Sequence, residues 1–480
     1  MKQIYQCYIK TLSPVHIGCD EVYEPMGFVL DESQNELTAF DPISFISQMN
    51  DNDKKRFSEI CSRGTLESIL EIYKFLRRRP AKGKPVQLCS GFVEHYNKTL
   101  SIPTNDKKKI QQELNNFAIS RTSFLSTDNR PYIPGSSVKG SFRTAYLNSL
   151  AQSKNLPTPY GKHAATDLEK KLLSYTDIQN DPFRLVKVSD FMPVGGPQTK
   201  IIYAVNIKKE SGGAARGPFQ IVEAIVPEAV FCGNIIVEEP LSEGTIKRPV
   251  TLESLIKSCG AFYFREHDRE QNELKAAGIS IPEAFFSKGT IPMRLGRHSG
   301  AESVTIEGHR NIKIMGARGK KDSWDDHATT LWLVSEQSKP ANTKNLQPFG
   351  WVELCEMTSV HEDEFEKAEK EWSDLFRKSF EKAYGVTIIS GSESDDEPVT
   401  IKPASLPKAT KTILWDAVIT YIKNTGEITA SHENKKAFSR DKSIVPEALL
   451  EKLKKKSIKA KVEVEPYGNR FRLLRVIEPS

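Results

Sequence analysis

Pro131-Tyr-Ile-Pro-Gly-Ser-Ser-Val-Lys-Gly-Ser-Phe-Arg-Thr-Ala-Tyr146 is the stretch on which the reading of this chain turns. Pro131 and Pro134 push the residues before them toward extended backbone. Gly135 and Gly140 allow close backbone approach. Ser136 or Ser137 suits the cap of a following helix. Lys139 and Arg143 are four residues apart and so share one helical face. Free N–H groups, the positive end of a helix and two cations together favour an anion, most simply a phosphate. The spacing is neither a Walker A loop, where Lys follows the second Gly, nor G-x-G-x-x-G. The competing reading is an ordinary capped strand–turn–helix junction.

Outward from this stretch, 480 residues allow two to four domains, and 27% charged against 38% hydrophobic residues describes a globular chain with a polar surface. No apolar run is long enough for a bilayer, and MKQIYQCYIKTLSP lacks a signal-peptide core. The seven cysteines form no C-x-x-C, which fits reduced cytoplasmic thiols and argues against a Cys-rich zinc site. The net charge of +6 is uneven. Residues 401–480 hold 17 Lys/Arg and 9 Asp/Glu, a net of +8, and the first 400 hold 51 and 53, a net of −2. Nucleic-acid binding by the main body would therefore use local patches.

Periodicity places strands at 4–12, 22–30 and 35–40, then helices at 43–61, 65–79 and 107–119. QLCSGFVEHY at 87–96 reads as a short strand. Ser136–Ala151 is the helix after the glycine loop, followed by a helix at 162–173 and strands at 185–192, 200–207, 220–227 and 233–237. Two helices are expected at 251–267 and 269–277, and strands at 329–334 and 350–356. Residues 361–384 form an amphipathic helix whose stripe of Phe365, Ala368, Trp372, Leu375, Phe376, Phe380 and Ala383 is expected in the core. The segment 386–408 is an acidic Ser/Pro linker. Residues 409–480 form a small basic α+β module with hairpins around Asn424-Thr-Gly and Pro466-Tyr-Gly-Asn.

A second glycine-rich basic segment, Met293-Arg-Leu-Gly-Arg-His-Ser-Gly300, offers Arg294, Arg297 and His298. Such a loop suits a single strand of RNA, unless Arg294 or Arg297 is neutralised by Glu302 or Glu307. His16, in a turn, is a candidate RNA contact or general base against a simple hydrogen-bonded turn histidine. Asp325-Asp326-His327 reads as a solvated charge cluster, and no metal is assigned. Asp41 reads as a helix cap. The tip Ser211–Gly217 with Arg216 is a candidate contact with a neighbouring subunit or a nucleic-acid duplex, against a plain surface loop.

Three stretches together carry a resemblance. They are Thr11-Leu-Ser-Pro-Val-His-Ile-Gly18 with Phe40-Asp-Pro42, Ile133-Pro-Gly-Ser-Ser-Val-Lys-Gly-Ser-Phe-Arg143, and Arg294-Leu-Gly-Arg-His-Ser-Gly-Ala-Glu-Ser303 with Leu346-Gln-Pro-Phe-Gly-Trp351. Over residues 1–385 the chain resembles the RAMP superfamily of CRISPR-associated proteins, and within it the fifth-subunit family of type III-A (Csm) effector complexes. The resemblance implies an α+β chain of ferredoxin-like, RRM-like sheet modules with inserted helices. It implies a non-catalytic subunit that caps the 3′ part of the crRNA and supports its maturation, with no cofactor. Its expected partners are crRNA, target RNA, the neighbouring backbone RAMP subunit, the small subunit and a trimming nuclease. The expected RNA contacts are Gly135, Ser136, Ser137, Lys139, Gly140, Arg143, Arg294, Arg297, His298 and His16. The rival readings are a crRNA-processing endoribonuclease with His16 or His298 as base, and a repeated backbone subunit. The basic tail is expected to contact nucleic acid or a partner.

Overall fold

The computed structural model describes residues 2–384 and 413–477, except 155, 159, 216, 218, 241–245, 280–284, 317–320, 423–426, 433–434, 440–443, 454–455 and 468–469. The expected linker and the Arg216 tip therefore lie wholly or partly outside the described residues. Chain contacts divide the protein into a body, Met1–Ile388, and a second unit, Ile389–Ser480.

The body is organised around its first strand. Lys2–Thr11 runs antiparallel between Val230–Glu238 and Trp351–Glu356. Val186–Val188 extends one side and Ile291–Arg294 the other. The glycine-loop helix, Gly135–Ser153, lies in sequence between the first strand and Val186–Val188. A long helix, Leu252–Ala276, lies between Val230–Glu238 and Trp351–Glu356. The path is β-α-β-β-α-β with spatial order fourth, first, third, second, the ferredoxin-like arrangement expected above. Both helices bury an apolar face on this sheet. Val138, Phe142 and Ala145 of one, and Leu255, Cys259 and Phe262 of the other, share a core with Cys7, Ile9, Phe231, Ile235 and Trp351.

The long excursions between these elements build a second sheet. Its order is Gly18–Val22, Ile119–Thr122, Gln220–Ile225, Thr199–Lys208, Lys84–Leu88, Glu36–Ala39 and Phe28–Asp31, and Thr330–Ser335 also pairs with Thr199–Lys208. It has its own core around Tyr73, Phe92, Phe117 and Tyr203.

Several local expectations change. Residues 22–30 hold the ends of two strands rather than one, because Pro25 removes an N–H donor between them. The helix expected at 43–61 is two, Pro42–Ser47 and Asp51–Ser62, each with its own cap: Ser44 N donates to Asp41 at 2.7 Å and Asp53 N to Asn50 at 2.9 Å. Phe92–Leu100 is helix, not strand, with Phe92, Tyr96, Thr99 and Leu100 buried at helical spacing. Thr251–Ala277 holds one helix of 25 residues, since nothing at His267–Arg269 breaks it. The stripe of the closing helix, Ser359–Tyr384, is only partly core. Trp372 covers Gly196 and the Arg130 guanidinium at 3.7 Å, but Leu375 is 66% exposed.

Among its described residues the second unit is a closed five-stranded barrel with an α-helix, Glu447–Leu453. Its strands run Ile413–Ile422, Glu427–His432, Lys435–Ser439, Ile458–Tyr467 and Arg470–Ile477. The middle one was not foreseen: KKAFS is too short and polar to show alternation.

Candidate nucleic-acid interface

The helix begins at Gly135, one residue earlier than expected, and neither serine is its cap. Pro134 occupies that position with φ −58, and the Gly135 N–H donates to Asp190 Oδ1 at 2.8 Å. A carboxylate thus already satisfies part of the positive helix end. Gly135 admits protein rather than ligand. A Cβ there would lie 2.4 Å from the Val188 carbonyl oxygen and 2.5 Å from that of Ser189. Gly140 differs: it is exposed, with nothing within 4 Å of where a Cβ would stand. Ser136 is exposed and Ser137 half-buried on the same turn.

The two cations of the motif also part company. Arg143 is held between Glu169, with Nε to Oε2 at 3.0 Å, and Asp181, with its guanidinium to Oδ2 at 2.9 Å. It ties the glycine-loop helix to Ala164–Leu173 and to the turn at Asp181, so its charge is neutralised within the protein. Lys139 makes no ion pair among the described residues. Burial, with Lys187 and Arg143 nearby, holds its pKa below the ordinary lysine value. Lys187, outside the expected set, lies near Lys139 but has the Glu238 carboxylate 3.9 Å from its ammonium, so of the two it is Lys139, next to bare Gly140, that has no ion-pair partner among the described residues.

The second loop docks directly on this helix. Ser141 Oγ lies 3.2 Å from the Arg294 carbonyl oxygen and 2.7 Å from Tyr263 OH. The two glycine motifs are therefore neighbours. Arg294 cannot contact RNA, however. Its side chain is 1% exposed, pairs with Glu270 at 2.5 Å and lies over the Trp351 ring at 4.7 Å. Neither Glu302 nor Glu307 is its partner; Glu302 instead accepts from Lys209 at 2.6 Å.

Arg297 is the cation this loop presents. It is 56% exposed and, among the described residues, pairs only with the exposed carboxylate of Asp20 at 2.8 Å. Its backbone N–H donates to the His16 carbonyl at 2.8 Å, and its guanidinium covers Gly18, where a Cβ would lie 2.6 Å from Nε. Gly296, at φ +82, packs on that same carbonyl. The N-terminal motif and the third motif thus form one unit.

His16 is 1% exposed and its Nδ1 donates to the Glu223 carbonyl at 2.7 Å. It is a turn histidine, out of reach of a substrate. His298 has φ +66, sits 5.1 Å from Trp332 and 5.0 Å from Phe349, and places Nε2 3.0 Å from Gln220 Oε1. Its Nδ1 is buried without a hydrogen-bond partner. Burial first, then His16 and Arg297, push its pKa down to about 4. Burial lowers His16 too. Both rings are neutral at neutral pH and contribute no charge to a phosphate.

This has a pH consequence. Between about 6.5 and about 4 the unfolded chain takes up a proton that folded His298 refuses, so stability falls as pH falls through that window. Acidification to about pH 5 is expected to remove about 2 kcal/mol of the body's stability. In His298→Gln, thermal melts across the window should be flatter by that amount. Equal slopes in the two proteins would show that His298 does not titrate there.

Asp325, Asp326 and His327 do converge, but all three are exposed. Among the described residues no helix is long and apolar enough to cross a membrane.

A curated relative from Methanocaldococcus jannaschii, named CRISPR system Cms protein Csm5, is 25% identical over 207 residues, covering 38% of this chain and 42% of the relative. The match thus spans less than half of that relative's length. Two solved structures are similar at 18% identity. One is a chain of a Csm–crRNA–target RNA ternary complex of a type III-A CRISPR-Cas system, with TM-score 0.49, covering 73% of this chain and 100% of that one. The other is Csm5 of T. onnurineus, with TM-score 0.40, covering 72% and 99%. The profile of the RAMP superfamily matches residues 8–277. That match runs from the first strand through the glycine-loop helix to the end of the long helix, more than half of the sequence, and the chain belongs to the RAMP superfamily.

Proposed function

We propose that this protein is a subunit of a type III-A CRISPR (Csm) effector ribonucleoprotein, where it binds and caps the 3′ part of the crRNA and supports its maturation without cleaving RNA itself. The observation that carries this reading is the patch formed by Lys139, Lys187 and Gly140 on the helix of the superfamily motif. It offers the charge of Lys139, which has no ion-pair partner among the described residues, the loosely held ammonium of Lys187 and bare helix backbone, and no group that reads a base. Such a surface holds phosphates regardless of sequence, which a guide of variable sequence requires. The similarity to Csm5 agrees with it. Exposed Arg297 extends the contact, with Ser136 and Ser137 as hydroxyl donors. In the assembled complex, target RNA and the neighbouring backbone and small subunits are the partners, and a separate nuclease trims the guide. The burial of His16 and the neutral, enclosed His298 give the endoribonuclease reading no base with access to RNA.

The test is co-expression with the other Csm subunits and a guide. Lys139→Ala/Arg297→Ala should still fold, lose guide affinity, and leave the guide's 3′ end exposed to trimming. Each lost phosphate contact should lower the salt slope of binding by about one. A variant that assembles and protects the 3′ end like the parent rules out this surface. Sequence-specific cuts by the pure protein on precursor RNA would overturn the non-catalytic part. Several copies per complex would replace the cap by a backbone role.

A further inference from the structure

The near-neutral charge of the body hides a local imbalance. Residues 42–115 carry 14 Lys/Arg against 8 Asp/Glu, a net of +6, so the rest of the first 400 residues hold 37 against 45, a net of −8. This basic segment is the largely helical excursion between the strands Glu36–Ala39 and Ile119–Thr122. It contains an antiparallel helix pair, Asp51–Ser62 and Leu66–Leu76, joined by only three residues, Arg63-Gly64-Thr65. Leu70 and Tyr73 of the second helix sit in the core of the second sheet. Phe57 and Ile60 of the first helix reach only a smaller core, with Val29, Phe40, Ile72 and Phe75. The first helix is therefore an outer layer, and most of its remaining surface is open.

Between the two helices lies a cleft of about 560 Å³. Arg56, Glu59 and Arg63 line it from the first helix, at helical spacing, and Glu71 and Lys74 from the second. Ile60 and Phe75, both buried, form its floor. Arg63 is already held by Glu71, guanidinium to carboxylate at 2.9 Å. Arg77 and Arg79 of the same segment are also taken up within the protein, by Glu32 and Asp53, each at 2.8 Å. Arg56 is exposed and has no ion pair among the described residues; its guanidinium stands 5.8 Å from the centre of the Phe75 ring. Lys74 is exposed as well. It donates to the Ile102 carbonyl at 3.0 Å and has no ion pair among the described residues. The cleft thus has an apolar floor, an unpaired cation on each wall, and one exposed carboxylate, Glu59, beside them.

We propose that this cleft docks an acidic amphipathic helix of a partner protein. A groove between two antiparallel helices accepts the ridge of a third. Small apolar side chains of the docked helix lie over Ile60 and Phe75, and its carboxylates pair with Arg56 on one wall and Lys74 on the other. Glu59 takes a cation of the docked helix, which fixes its direction along the cleft. The net +6 of the surrounding segment steers an acidic partner toward it. RNA fits the cleft less well. Glu59 and Glu71 repel a phosphate strand, and the Phe75 ring, 7% exposed, offers no face on which a base stacks.

Docking here uses none of the residues assigned to the crRNA contact, so the two readings can fail separately. The full-length protein is titrated with a fluorescent amphipathic helical peptide that carries leucine on one face and glutamate on the other. The same peptide with lysine in place of glutamate, and a single-stranded RNA of mixed sequence, are titrated beside it at low and moderate salt. The parent should bind the glutamate peptide, more weakly as salt rises, and not the lysine peptide. Arg56→Glu/Lys74→Glu should bind the glutamate peptide about tenfold more weakly, gain affinity for the lysine peptide, and still protect the guide's 3′ end in the assembled complex. Lys139→Ala/Arg297→Ala should bind the glutamate peptide like the parent. A parent that binds both peptides equally, or neither, overturns the proposal, and so does a cleft variant that keeps the glutamate peptide. RNA affinity lost in the cleft variant, with no peptide bound by the parent, would make the cleft an RNA contact and overturn the protein assignment. Self-association of the parent that the cleft variant loses would assign the cleft to a second copy of the chain and overturn it equally. Should the double variant melt early, Arg56→Glu decides alone, because it breaks no ion pair among the described residues.

Discussion

Glu270→Ala is expected to destabilise the body by roughly 3–5 kcal/mol, the larger of the two stability losses argued here. Glu270 is the sole ion-pair partner of Arg294 among the described residues, at 2.5 Å, with 1% of the arginine side chain and 5% of the glutamate exposed. The same carboxylate accepts from Trp351 Nε1 at 2.6 Å. Trp351 itself is fully buried and stacks its face under the guanidinium. Removing the carboxylate leaves a full positive charge in a dry pocket, with Arg294 Nε already lacking a hydrogen-bond partner. Glu270→Gln separates the two losses, because it keeps an acceptor for the indole but not the charge. Most of the penalty should persist in Gln, and Glu270→Gln/Arg294→Met should recover a large part of it. Thermal and denaturant melts measure all three. A loss below about 1 kcal/mol in Glu270→Ala would mean that water reaches the pair and that Arg294 is available to RNA after all.

Arg294 shows where reading the sequence stops. Its loop is full of glycine and positive charge, the composition of a phosphate cradle. What decides its role is a carboxylate 24 residues earlier and a tryptophan 57 residues later. Arg143 repeats the lesson with Glu169 and Asp181, 26 and 38 residues away. A cation's presence is a local fact, but its neutralisation is tertiary. The elements themselves are far more legible. The proline-bounded extended entry and helix at 131–153 and the alternating strands follow from short-range sterics and periodicity. Phe92–Leu100 misleads because aromatic and β-branched residues favour strand intrinsically, and a helical face of buried side chains overrides that preference. The barrel's third strand, Lys435–Ser439, is invisible for the opposite reason: only its pairing with two neighbours makes it a strand.

The two glycines of the superfamily loop should behave in opposite ways when each is replaced by alanine. At Gly135 the new methyl would meet two backbone carbonyl oxygens, at 2.4 and 2.5 Å, where even 3.0 Å is too close. Those carbonyls belong to Val188 and Ser189, held in turn by the pairing of Val186–Val188 with Val230–Glu238. Neither side can yield without moving the helix from the sheet, so Gly135→Ala should cost about 1–3 kcal/mol and shift the helix that carries Lys139. At Gly140 the methyl would meet nothing, in the middle of a helix, and Gly140→Ala should gain roughly 0.5–1 kcal/mol by reducing the freedom of the unfolded chain. Function should run against stability at this second site. If the crRNA backbone lies on bare helix between Lys139 and Lys187, the more stable Gly140→Ala protein should bind guide more weakly, and Gly140→Val more weakly still. Melting curves and RNA titrations on the same preparations read both effects. A Gly140→Ala protein that is stabilised and binds guide like the parent would show that the second glycine is not a point of approach, and would leave the cations alone to hold the RNA.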